Sequence, residues 1–130
     1  MFQGYIRQKV AVYVDHDPAA DDYLPLFIAP AAVEIHQVKA VTANDVAAST
    51  VNYFDVALVN GGTAGTATTL ISGTIGGTAG WTGLTPKTFS LTAGSEELAA
   101  NEVLTLKYNE EGTGTFAAML VDIDFVYGKG

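Results

Sequence analysis

Apolar and polar residues alternate with a period of two along the last third of the chain. The run Val103 to Tyr108 alternates first, and Asn109 to Thr115, with two glycines, breaks it. Phe116 to Tyr127 then runs on as a long segment with Met119, Val121, Ile123, Phe125 and Tyr127 on one face. A pleated backbone sends successive side chains to opposite faces, so this period predicts two half-buried strands joined by a tight turn.

The same pattern recurs upstream. Val33 to Thr42 reads as a strand in which Val33 and Ile35 share one parity and Val38 and Ala40 the other. That switch predicts a bulge near Gln37. Val51 to Val59 reads as the next strand, with Phe54, Val56 and Leu58 on one face. Thr66 to Ser72 and Lys87 to Thr92 are further strand candidates, rich in threonine and β-branched residues. Asn44 to Ser49 and Ala93 to Asn101 each offer room for a short helical turn, the first capped by Asn44.

Residues 1–31 differ from the rest. Val10 to Val14 can form a short strand, and Tyr23 to Ala29 is apolar but holds Pro25. Proline lacks a ladder donor, so this stretch is expected as an edge strand or an N-terminal arm partly joined to the sheet. Residues 32–130 are then the sandwich domain. Asn60 to Gly83 holds eight of the fourteen glycines, and Gly-Gly-Thr-Ala-Gly occurs at 61–65 and again at 76–80. Two copies fall short of a solenoid and read as turn chemistry. About eight strands spaced by glycine turns predict an all-β, antiparallel β-sandwich. With no cysteine and the single tryptophan, Trp81, in a glycine loop, the immunoglobulin pattern is absent and a jelly roll is favoured.

Composition narrows the function classes. At 130 residues the chain is expected to be one domain, and 48% hydrophobic content supports a packed core. The net charge of −8, with six basic residues, argues against nucleic acid and against an anionic membrane surface. Met1 to Tyr5 contains no apolar signal-peptide region, so a chain used without secretion is expected.

Candidate chemistry is sparse. Asp15, His16, Asp17, Asp21 and Asp22 form the densest acidic cluster, but without the spacing of a calcium loop. A solvated turn is the expectation, with no metal and no cofactor. Asp122 and Asp124, two residues apart on one strand face, could share acid–base work in a sugar cleft; outward positions on a half-buried strand explain them more simply. Ser49, Ser72, Ser90 and Ser95 lie in no nucleophile elbow, and His16 and His36 are the only histidines. The glycine-rich segment lacks the lysine and following helix of a phosphate cradle. No enzyme is therefore expected. Trp81 either anchors a partner or sugar from a loop or folds back to cap the sandwich.

The strand and turn patterns of Val41 to Ala43, Val51 to Asn60, Gly65 to Leu70, Asn101 to Lys107 and Gly112 to Thr115 resemble a known group. They are similar to the small capsid decoration, or cement, proteins of tailed bacteriophages, over about residues 33–127. The resemblance implies a structural virion protein on the capsid exterior, made in the host cytoplasm. It implies a homotrimer bound to the major capsid protein and clamping neighbouring shell subunits. The N-terminal arm, with Phe2, Tyr5, Tyr23, Leu24 and Phe27, would carry much of that contact. The alternative is a carbohydrate-binding or tail- and fibre-associated sandwich that uses Trp81 in host attachment.

Overall fold

The structure, a computed structural model, describes residues 7–15, 17–18, 22–65, 69–113 and 116–127. Its strands are β1 (Arg7–Val14), β2 (Asp22–Ile28), β3 (Val33–Thr42), β4 (Tyr53–Asn60), β5 (Thr69–Leu70), β6 (Ile75–Gly76), β7 (Lys87–Thr88), β8 (Glu97–Leu98), β9 (Val103–Glu111) and β10 (Met119–Tyr127). They form two five-stranded antiparallel sheets. One runs β1-β10-β3-β7, with β8 also on β3; the other runs β2-β9-β4-β5, with β6 also on β4.

The pairing is nested. The first strand lies beside the last, the second beside the second-last, and β3 and β4 each beside a pair of two-residue strands. A long antiparallel ribbon rolled on itself gives this order, which is that of a jelly roll. Ten strands thus fill eight positions, because β5 with β6, and β7 with β8, each share one edge.

The long strands form where their alternation dictates. Leu104, Leu106 and Tyr108 from β9 are completely buried, as are Phe54, Val56 and Leu58 from β4 and Met119, Val121 and Ile123 from β10. Burying each such side chain contributes roughly 1.5–3 kcal/mol. On β3, Asp124 pairs with Gln37 but Phe125 with Ile35, so His36 is the extra residue of a bulge. The bulge lets Ile35 and Val38 both face inward despite their opposite parity.

The two expected helical turns are absent. Asn44 to Ser49 holds no helical turn: Asn44 lies in a bend, and Val46 forms an isolated bridge with Trp81. Glu97 and Leu98 form β8 against Val33 and Glu34. Among the described residues, the helical element is the single 3₁₀ turn Gly77–Ala79. In both segments the long-range ladder partner outweighs a weak local helical preference.

Candidate functional site

Of the residues expected to touch a partner, Tyr23, Leu24 and Phe27 share one element, β2. This strand is a sheet edge, paired only with β9 among the described residues. Tyr23 sits opposite Lys107 and is 44% exposed. Leu24 and Phe27 are half-buried against the core. The Phe27 ring lies 4.7 Å from that of Phe125, centroid to centroid, across the two sheets. Tyr23 is thus free for a contact, whereas Leu24 and Phe27 spend much of their surface on the fold. Phe2 and Tyr5 lie outside the described residues.

Trp81 is elsewhere and is only 3% exposed. Its ring stacks on Phe54 at 5.2 Å, and its indole N–H donates to the Phe54 carbonyl at 3.4 Å. Two backbone bonds with Val46, each 2.9 Å, hold the segment down. Of the two roles open to it, this geometry is the cap on the sandwich, with the ring facing inward. The glycines around it make that approach possible. A Cβ on Gly76 would overlap the indole, and one on Gly80 would strike the carbonyl of Val46. Both glycines hold positive φ, 90° and 75°.

Beside Tyr23, a shallow apolar groove of about 320 Å³ runs over the outer face of β2 and β9. Its walls are Tyr23, Pro25, Val103 and Thr105 with the first glycine repeat. The Thr105 hydroxyl already donates to the Val103 carbonyl at 3.1 Å. The groove therefore presents aliphatic and aromatic surface, suited to an apolar side chain of a partner.

The polar candidates have structural partners. Ser72 Oγ accepts the Leu58 N–H at 2.9 Å and donates to the Gly73 carbonyl at 2.9 Å. Ser49 Oγ accepts from the amides of Val51 and Asn52. Asp122 and Asp124 meet Lys9 at 3.0 Å and Arg7 at 2.7 Å. The reading of the two aspartates as plain outward positions missed these partners. A signal for them was present: both pairs are spaced by two, so each keeps one face of its strand. In the acidic cluster, Asp15 and Asp17 are exposed, Asp22 Oδ1 accepts the Tyr23 N–H, and His16 and Asp21 lie outside the described residues. Among the described residues, no three histidine, cysteine or acidic side chains are grouped to hold a metal ion.

No family model matches the chain, and no curated protein matches it. Chains of solved structures do, two phage capsids among them. A chain of the acidic stable capsid structure of Helicobacter pylori bacteriophage KHP30 superposes with a TM-score of 0.58 at 12% identity, covering 93% of this chain and 93% of that one. A chain of the Cyanophage Pam1 capsid asymmetric unit superposes with a TM-score of 0.55 at 12% identity, covering 95% of this chain and 85% of that one. At such identity the likeness is one of fold: this chain has a sandwich fold also found in chains of two phage capsid structures.

Proposed function

We propose that the chain is a structural virion protein that binds the outer surface of a phage capsid and stabilises the shell. The observation that carries this reading is the end-to-end likeness to chains of two phage capsid structures. It covers 93% and 95% of this chain and 93% and 85% of theirs. The partner is the major capsid protein, and the copies act as trimers. Tyr23 and its groove form the contact on β2, with Phe2 and Tyr5 from the arm.

Quantitative mass spectrometry of purified particles of the source virus tests this reading. A copy number comparable to that of the major shell protein supports decoration. A few copies per particle indicate the tail or fibre instead, and absence from the particle removes the virion reading. The sugar-binding alternative is disfavoured by the inward-facing indole of Trp81, its intended anchor.

A further inference from the structure

The groove beside Tyr23 changes character along its length. At one end the exposed Ile28 lies opposite Val103, and Pro25 lies opposite Thr105 in its middle. At the other end Tyr23 lies opposite Lys107, and both are exposed. Side chains of directly opposed residues stand about 4.5–5.5 Å apart at their Cβ atoms. An apolar channel thus ends on an aromatic ring and an ammonium group.

Three polar groups of the walls are spent within the fold. The Gly61 amide donates to the Val103 carbonyl at 2.8 Å, and the Thr105 hydroxyl donates to the same carbonyl at 3.1 Å. The Gly62 amide donates to Asn60 Oδ1 at 2.8 Å. The two groups at the end of the groove are not spent. Neither the Tyr23 hydroxyl nor the Lys107 ammonium bonds to a described residue. Asp55, on the diagonal from Lys107, accepts instead from the Asn109 amide at 3.4 Å.

Lys107 also differs from the other described basic residues. Arg7 and Lys9 are held by Asp124 and Asp122. Lys87 lies 5.6 Å from the centre of the Trp81 ring, and Lys39 is half-buried opposite Asp122. On a chain of net charge −8, an exposed cation beside an apolar groove is where an acidic group meets least repulsion. Two neighbouring donors, one of them charged, suit a carboxylate, which accepts from both through its two oxygens. A second copy of this chain is the poorer occupant, since two molecules of this charge repel each other overall.

Thr105 in the groove and Lys107 at its end are two residues apart on β9, about 6.5–7 Å along an extended strand. An extended partner segment matches that span with side chains two residues apart. We propose that the groove takes an extended segment of the shell protein, with an apolar residue over Thr105 and an Asp or Glu two residues away meeting Lys107 and the Tyr23 hydroxyl. This inference rests on the shell-binding reading and adds to it the chemistry of the bound segment.

Co-sedimentation of the full chain with capsids that lack it, at low and high salt, is the test. Lys107→Glu reverses an exposed charge and is expected to weaken binding about tenfold or more at low salt. Lys107→Arg keeps the charge and should bind near the wild-type level. Tyr23→Phe keeps the ring, loses the hydroxyl and should fall between the two. Wild-type binding should weaken as salt rises, and Lys107→Glu binding should depend on salt less steeply. Thermal unfolding of each variant, expected to be unchanged, separates contact from fold. Lys107→Glu with wild-type affinity and wild-type salt dependence would overturn the proposal and leave shell binding standing. A wild-type chain that does not bind capsids would remove the shell-binding reading, and this inference with it. A Lys107→Glu loss that appears equally in the self-association of the chain alone would assign the groove to a second copy, and so overturn the proposal as well.

Discussion

Arg7 and Asp124, 117 residues apart in sequence, meet at 2.7 Å between the first and last strands. They are not directly opposite: Arg7 faces Val126, and Asp124 faces Lys9. Each base instead reaches a carboxylate on the diagonal, a distance long side chains span. The two bridges differ in setting. The Asp124 side chain is 11% exposed, whereas that of Asp122 is 36% exposed. Removing the partner of a largely buried carboxylate costs more than breaking an exposed pair. Arg7→Ala is therefore expected to destabilise the fold by about 1–2 kcal/mol and Lys9→Ala by less than about 1 kcal/mol. Urea unfolding midpoints at matched salt check the order, and equal losses would refute the distinction.

The second glycine repeat supports Trp81 through steric absence. Gly76→Ala adds a Cβ inside the indole and strains a residue at a φ of 90°, so it is expected to cost at least about 2 kcal/mol. Gly94 has a similar φ of 86° but open space around it, so Gly94→Ala should lose only about 1–2 kcal/mol of backbone strain. Gly73→Ala, with open space and no positive φ, should change stability little. Thermal unfolding of the three variants separates strain from overlap. A Gly76→Ala loss no larger than that of Gly94→Ala would mean that the ring moves aside freely.

The long strands were legible because burial leaves a period-two record in the residues themselves. The parity switch between Ile35 and Val38 even located the bulge, since only an extra residue turns both side chains inward. Of the two-residue strands, β5 and β7 fall within the segments Thr66 to Ser72 and Lys87 to Thr92 read as strands, whereas β6 and β8 left no such record. Two residues are too few to show a period, and the pairing of β6 and β8 is imposed by β4 and β3. The same limit applies to Asn44 to Ser49, read as a helical turn and found bridged to Trp81. Trp81 was legible as an unusual residue but not in its orientation. Its environment is made by Phe54 and Val46, both distant in sequence, and by glycines whose tolerance of close contact no pattern of polarity reveals.

Tyr23 and Phe27, four residues apart on β2, are expected to separate contact from fold. The Tyr23 side chain stands on the outer face beside the groove, and Tyr23→Ala should alter stability by less than about 0.5 kcal/mol. On the shell-binding reading, the same variant should co-sediment poorly with capsids lacking this chain. Phe27→Ala removes a ring packed on Phe125 and should cost about 2–3 kcal/mol whether or not capsids are present. Full capsid binding by a folded Tyr23→Ala protein would exclude Tyr23 from the contact.

Ser72 stands in for a missing strand partner. Strand β4 lies between β9 and the short pieces β5 and β6, which pair at Val59–Asn60 and at Asp55–Val56. Between them the Leu58 N–H, completely buried, has no ladder strand on that side and donates instead to Ser72 Oγ at 2.9 Å. The same hydroxyl donates to the Gly73 carbonyl, so one small side chain serves both groups where the edge is interrupted. Ser72→Ala leaves the buried amide unsatisfied and should cost about 1–3 kcal/mol. Ser72→Thr keeps the hydroxyl and should recover part of that loss. Amide hydrogen exchange gives the sharper reading, because Leu58 should lose protection in Ser72→Ala beyond any global loss seen at Leu106 on the neighbouring strand. Parallel changes at both amides would assign the effect to overall stability and not to this bond.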